Sequence, residues 1–205
     1  MNGSPLSKRI PSLLYACALL AAPLGTARAS EWALDPAHTS VQFSVRHMMV
    51  STVRGEFTKV SGTAKADDAD PARSTIEVTI EAGSIDTRDA KRDAHLRSPD
   101  FFDVEKFPAL QFRSTKIEAA GPDAYKLTGD LTIHGVTKPI TLDVPAPSAA
   151  VKTPFGTTIR GVSAAGKLNR KDFGLTWNKA LEAGGLLVGE DVQIQIDAEF
   201  VKKEG

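Results

Sequence analysis

Apolar and polar residues alternate with a period of two along much of the chain, and no other feature limits its folding as strongly. Val41, Phe43 and Val45 alternate with Ser40, Gln42, Ser44 and Arg46, and Ile76, Val78 and Ile80 alternate with Thr75, Glu77, Thr79 and Glu81. Successive side chains of a strand point to opposite faces, so each run predicts a strand with one dry and one wet face. The period recurs in Leu110 and Phe112; in Leu127, Leu131 and Ile133; in Ile140, Leu142 and Val144; and in Val192, Ile194, Ile196, Ala198 and Phe200. Less regular runs near residues 54–66 and 156–168 bring the expected number of strands to eight.

The turns point to antiparallel neighbours. In LTIHGVTKPITLDV, residues 131–144, a tight link around Gly135 joins two alternating runs as a hairpin, and Pro139 is expected to open the second strand, where a missing amide donor is tolerated. Too little helix remains to cover a flat sheet, so the strands most simply close into an all-β, eight-stranded antiparallel barrel. Gly55, Gly62, Gly129, Gly161 and Gly166 lie inside strand patterns and fit the bends that closure needs. A strand of about 12 residues at a tilt of roughly 40° gives a barrel about 30 Å tall, which is either filled by its own side chains or holds one small ligand. The chain has two Trp, two Tyr and nine Phe, so the inward positions are mostly aliphatic and a long apolar void is a reasonable expectation. A barrel packed solid is the alternative.

The first residues differ from the rest. Lys8 and Arg9 precede an apolar run over residues 10–24, and the small-residue pattern Ala27-Arg28-Ala29 follows. This order predicts a signal peptide over residues 1–29, cut after Ala29, and an exported domain over residues 30–205. The apolar run is broken by Pro11 and Pro23 and falls short of the roughly 20 residues a membrane span requires. The one cysteine, Cys17, falls within it, so the mature chain has no disulfide and no thiolate metal site. Leu14-Tyr15-Ala16-Cys17 also has the outline of a lipobox, although Tyr15 stands where a small residue is usual and the following residues stay apolar. Without Lys8, Arg9 and Arg28, the 25 basic side chains fall to 22 against 25 acidic ones, a net charge of minus 3. That balance argues against nucleic acid as a partner, and membrane association is expected to be transient at most.

Catalytic signatures are weak. GVSAA, residues 161–165, lacks the final glycine of a nucleophile elbow and sits in a strand-like run, and no zinc-protease, P-loop or dinucleotide fingerprint occurs. No catalytic residue, cofactor or metal ligand is therefore expected. His38, His47, His95 and His134 form no close metal-type pair in sequence, which leaves them turn, surface or hydrogen-bonding roles. His47 continues the inward register of Val41, Phe43 and Val45, and could bring a polar group to the barrel mouth or bond to backbone. Met48 and Met49 follow it, and flexible thioethers suit a variable apolar guest or a packing gap. Arg170 and Asp172, near Asn169 and Gly174, are expected to fix a strand connection over Phe173 and Trp177.

Between two strand patterns lies RDAHLRSPDFFDVEKFP, residues 92–108. Thr87 is a good N-cap and Asp89 favours the positive end of a helix, which predicts a short helix over residues 88–97 and a second turn with Pro99 at its first position. Phe101 and Phe102 then lie beside the barrel, while Asp89, Lys91, Arg92 and Asp93 mostly face water. Asp93 and His95, two residues apart on a helix, point in different directions and make no dyad. The stretch is expected to be a lid.

Several motifs in order, DPAHTSVQFSVRHM near residue 35, RGEF at 54, SIDTRDAKRDAHLRSPDFFDVEKFPALQF, LTGDLTIHGVTKPITLDV and LNRKDFGLTWN at 168, resemble the YceI family of bacterial polyisoprenoid-binding, lipocalin-like proteins. The resemblance covers essentially the whole mature region and implies an extended barrel enclosing a long isoprenoid-like or other amphiphilic lipid, such as an isoprenoid quinone. The signal peptide fits the periplasmic branch. The residues expected to line the ligand are Val41, Phe43, Val45, His47 and Met48; Phe57; Val78 and Ile80; Phe101 and Phe102; Phe112; Leu131 and Ile133; Leu142; and Ile194 and Ile196. Two functions follow: a non-enzymatic periplasmic carrier of a long-chain lipid, or an interaction module with a packed barrel serving a membrane redox or stress-response complex. A homodimer is left open.

Overall fold

The computed structural model describes residues 29–182 and 184–204. Apart from Ala29, the expected signal peptide lies outside the described residues. Eleven strands form one sheet: β1 (Ser30–His47), β2 (Ser51–Phe57), β3 (Val60–Ala66), β4 (Thr75–Glu81), β5 (Ile85–Asp86), β6 (Ala109–Gly121), β7 (Ala124–Ile133), β8 (Val136–Pro145), β9 (Val151–Lys152), β10 (Thr158–Asn169) and β11 (Val188–Lys202), with one helix, α1 (Ala90–Arg97). Eight of them close the expected antiparallel barrel in the order β1, β3, β4, β6, β7, β8, β10, β11 and back to β1. The irregular run at 54–66 is a strand broken in two: β3 pairs with the first part of β1, Ser30↔Ala66 to Ala33↔Thr63, and β2 with the last, Val41↔Phe57 to His47↔Ser51. Among the described residues no helix is long and apolar enough to cross a membrane.

Register carries the alternation inward. Val41, Phe43 and Val45 of β1 stand opposite Ile196, Ile194 and Val192 of β11. Val78 and Ile80 of β4 stand opposite Phe112 and Leu110 of β6, and Phe112 is also paired with Leu131 of β7. Cross-strand pairs of this kind are what hold a sheet together, and a slip by one residue would turn every dry face outward.

Two expectations about turn and breaker residues need correcting. The β7–β8 link is a two-residue turn with His134 at φ 51° and Gly135 at φ 74°, as a hairpin of this twist requires. Pro139, however, does not open β8 but lies inside it, opposite Asp130. It is tolerated because β8 and β10 are bridged only at Ala165↔Asp143, so the edge of β8 at Pro139 needs no donor. The strand glycines serve close packing as much as bending. A Cβ on Gly55 would collide with the Phe43 ring, and one on Gly129 with the Phe112 ring, so each ring fills the space that the glycine leaves.

The segment after β5 also departs from its expected form. Asp89 is the N-cap of α1, accepting from the Lys91 and Arg92 amides at 3.0 Å each. Thr87 is buried instead, and its amide and hydroxyl donate to Asp93 Oδ1 at 2.9 and 2.5 Å. Asp93 is 6% exposed and does not face water. Arg92 folds back too, donating from Nε to Thr87 Oγ1 at 2.7 Å and from Nη2 to the Thr87 carbonyl at 2.8 Å. The positive N-terminal end of the helix and the two Thr87 donors stabilise the Asp93 carboxylate where the helix meets the barrel. Arg97 ties down the other end through the Gly83 and Ile85 carbonyls at 2.8 and 2.6 Å.

Candidate functional site

The barrel is not packed solid. Its interior holds a cavity of about 220 Å³ whose wall is almost wholly hydrocarbon. An apolar cavity of about 150 Å³ already stays dry and admits a benzene ring, so this one is a void that water does not fill favourably. Val41, Phe43, Val45, Phe57, Val78, Ile80, Phe101, Phe102, Phe112, Leu131, Ile133, Leu142, Ile194 and Ile196 all line it. So do Leu127, Ile140, Val162, Ala164, Leu168 and Val188, which sequence reasoning did not carry into the site although most continue the same alternation.

His47 and Met48 do not reach the cavity. His47 keeps the phase of Val45, paired with Ser51 and Val188, but it is the last residue of β1 and lies past the lined part of the cavity, which ends on this strand at Val45. Met48 and Met49 are the central residues of the β1–β2 turn, at φ 49° and 61°, closed by the Val50 amide donating to the His47 carbonyl at 3.1 Å. Both side chains are exposed and form no part of the cavity wall.

One end of the cavity is stoppered by the lid stretch. Phe101 is buried, 5.0 Å from the His95 ring and 5.3 Å from Trp177, and His95 meets Trp177 edge-on at 4.7 Å. Phe102 packs edge-on against Phe57 at 5.8 Å. His95 Nε2 bonds to Asp100 Oδ2 at 2.9 Å and Asp93 to Thr87, so the carboxylate and histidine of the helix are not partners. Each aromatic pair adds about 0.5–1.5 kcal/mol beyond the area it buries, which makes the stopper firm without a covalent tie.

Arg170 stands on the wall at this end, and its place there was missed. It is 4% exposed, donating from Nε to the Gly189 carbonyl at 2.9 Å, from Nη2 to that of Val188 at 3.4 Å and from Nη1 to that of Leu175. Those bonds do fix the β10–β11 connection, with Asn169 capping the turn, Gly174 at φ 78° ending it and Phe173 buried beneath. The guanidinium is also the one charged group on the cavity wall among the described residues. Burial pushes its pKa down, opposed by the charge of Glu190, yet a guanidinium remains protonated. Nothing in an NRKDFG string tells a carbonyl-bonded arginine from one that also faces a void.

At the opposite end lies a second void of about 450 Å³ whose wall shares Ile76, Leu127, Val162 and Phe200 with the first. Its rim is mixed: Trp32 and Tyr125 meet Lys65, Ser74 and Arg160. Arg160 lies over the Trp32 ring at 5.0 Å and donates from Nη1 to Asp68 Oδ1 at 2.7 Å, while its Nε is shielded and unpartnered. The interior is thus an apolar bore with an aromatic stopper at one end and an amphipathic mouth at the other, a shape that accepts a long apolar molecule carrying a polar group.

Groups that could do chemistry lie elsewhere. The GVSAA serine, Ser163, is within β10 and donates to Asp197 Oδ1 at 2.7 Å. Asp35, His38 and Glu199 bring three possible ligand atoms within 4.8 Å of one another, a grouping the sequence hid because Glu199 comes from β11. His38 Nδ1 is 2.8 Å from Asp35 Oδ2, and 3.8 Å from Glu199. The bond to Asp35 and then the two carboxylate charges hold the His38 pKa above its ordinary value, and the same bond, with one from the Ala37 amide, holds Asp35 low. The group sits where β1 shifts register against β11 between Asp35 and Ser40, so it reads as an exposed ion pair pinning that irregularity.

Comparison with known proteins bears on this geometry. Residues 32–200 match the model of the YceI-like domain. A UPF0312 protein of Staphylococcus aureus strain MSSA476 is 34% identical over 171 residues, 83% of this chain and 97% of that protein. The crystal structure of Burkholderia cenocepacia BcnA superposes with a TM-score of 0.71 at 25% identity, covering 81% of this chain and 98% of that one. A polyisoprenoid binding domain from Saccharophagus degradans has the same fold at a TM-score of 0.62 and 16% identity, covering 85% of this chain and 99% of that one.

Proposed function

From its membership of the YceI-like family we propose that this chain is an exported, non-enzymatic carrier that holds a long-chain isoprenoid lipid or isoprenoid quinone inside its barrel. The observation that carries the reading is the apolar bore, a void of about 220 Å³ with a second void beside it whose wall includes Trp32, Tyr125 and Arg160. Burying a methylene gains about 0.8 kcal/mol, so a bore of this kind selects by chain length and apolarity more than by a particular functional group. The name given to the Saccharophagus degradans domain of the same fold is in keeping with such a ligand. A polar end of the lipid would find cations only near the two ends, at Arg170 beside the stopper and at Lys65 and Arg160 on the mouth. The signal peptide expected from sequence over residues 1–29 supports release into the periplasm, and the absence of cysteine from residues 30–205 suits a soluble exported chain.

Titration with fluorescent polyprenyl analogues of increasing length tests the reading. Saturable binding of one molecule per chain, tightening by roughly fourfold per added methylene until the bore is full, is the expected result. Binding that ignores chain length would favour the interaction module instead. Intact mass of exported protein checks the route: it should begin at Ser30, and a lipidated Cys17 would replace a soluble carrier with an anchored one.

A further inference from the structure

We propose that the tip of the β1–β2 hairpin is a membrane-contact element that seats Met48, Met49 and Val50 in the surface of an anionic lipid bilayer. These residues are 43%, 58% and 79% exposed, three consecutive large apolar side chains in water. The turn that presents them is unfavourable for them. Met48 and Met49 both adopt positive φ, where Asn-Gly is the preferred pair and a side chain with a Cβ is strained. A sequence that places methionines at both positions departs from local preference and exposes apolar surface at once, which is the mark of a functional surface.

Charge identifies the partner. Residues 44–55 contain Arg46, His47 and Arg54 and no acidic residue. The Arg46 guanidinium is held beside the methionines by Thr52 Oγ1 at 3.1 Å and the Met49 carbonyl at 2.7 Å, and among the described residues neither Arg46 nor Arg54 takes part in a salt bridge. An apolar tip flanked by unpaired cations matches the interface of a bilayer with anionic headgroups, where apolar side chains reach the acyl boundary and the cations meet phosphate. The chain just before β11 supports the tip: the Met48 amide donates to the Leu187 carbonyl at 2.8 Å, and the Leu187 amide to that of Lys179 at 2.9 Å. The tip is also continuous with the cavity wall, since Val45 and Val188 line the void. A carrier touching a membrane here would hold the stoppered end of its bore close to the lipid it exchanges.

This inference rests on the carrier reading for its purpose but not for its test. The exported chain is sedimented with phosphatidylcholine vesicles, with and without phosphatidylglycerol. The wild type should bind the anionic vesicles, less so as salt rises. Met48→Asn combined with Met49→Gly should lower the bound fraction at least about tenfold while Tm holds or rises, because the pair suits the turn better. Arg54→Gln should weaken binding about fivefold on anionic vesicles alone. Unchanged vesicle binding by the double variant would overturn the proposal. So would a wild-type dimer in sedimentation velocity that the double variant abolishes, since the tip would then serve a second copy of the chain. Polyprenyl binding in solution, measured on the same variants, should be unaltered, so failure here leaves the carrier reading standing and failure there leaves this one standing.

Discussion

Filling the cavity should strengthen the protein and weaken its function, and Ala164→Phe is the substitution that does so. Ala164 is 7% exposed and lines the void from β10, opposite Ile196 of β11 and in one cluster with Leu142 and Val144 of β8. The void of about 220 Å³ exceeds the volume that accommodates a benzene ring, about 150 Å³, so a phenyl group can enter without displacing the wall. Filling a void of this sort gains about 0.5–2 kcal/mol, which in a domain of this size raises Tm by roughly 2–6 °C. The same ring takes the place of about five methylenes of a bound tail, a loss of about 4 kcal/mol or roughly a thousandfold in affinity. The assays are calorimetric Tm of lipid-free protein and titration with a fluorescent polyprenyl analogue. A higher Tm with unchanged affinity would mean that the lipid is not held in this cavity. A lower Tm would mean that the void is filled by side-chain rearrangement and the reasoning from its volume is wrong.

Three further outcomes follow from the geometry. Leu131→Arg should cost several kcal/mol by placing an unpaired charge on the dry wall, whereas Thr132→Arg on the other face should change stability by less than about 1 kcal/mol, both read by chemical denaturation; equal tolerance would show the register to be wrong. Asp93→Ala should lower stability by about 1–3 kcal/mol, because it strands the buried Thr87 donors, and a neutral result in urea unfolding would return Asp93 to solvent. For His38, whose pKa is raised on folding, the stabilisation is full below the ordinary value of 6.5 and is lost as pH rises through the folded value, while that of Asp35, lowered on folding, is present above 3.8 and lost as pH falls through its folded value. His38→Gln should therefore lower Tm between those two ordinary values and converge with wild type at alkaline pH; a penalty that grew with pH would contradict the assignment.

Strands and inward faces were legible because period two is a direct image of a half-buried sheet, and Val41, Phe43, Val45, Leu131 and Ile194 needed no further information. What escaped depends on relations between distant residues. His47 follows the pattern of β1 and keeps its phase, but the pattern cannot show where along the strand the cavity ends, and it ends at Val45. Asp93 has the composition of a solvated helix residue and is buried only because Thr87 turns inward to meet it. Arg170 reads as a turn arginine and Arg160 falls unremarked in an irregular strand run, and it takes the closed barrel to set one on the inner wall and the other across Trp32 at the far mouth. From sequence Pro139 belongs at a strand start, because a central strand needs the donor it lacks, and the single bridge between β8 and β10 removes that need.

Whether the bore carries a lipid in the cell is tested most directly by the mass of the protein recovered intact from its native compartment, under conditions that keep noncovalent ligands bound. The polypeptide from Ser30 should carry one isoprenoid molecule per chain in near-stoichiometric yield, extractable into organic solvent, and Ala164→Phe recovered in parallel should carry none. Protein that is consistently lipid-free, or lipid retained equally by Ala164→Phe, would contradict the account.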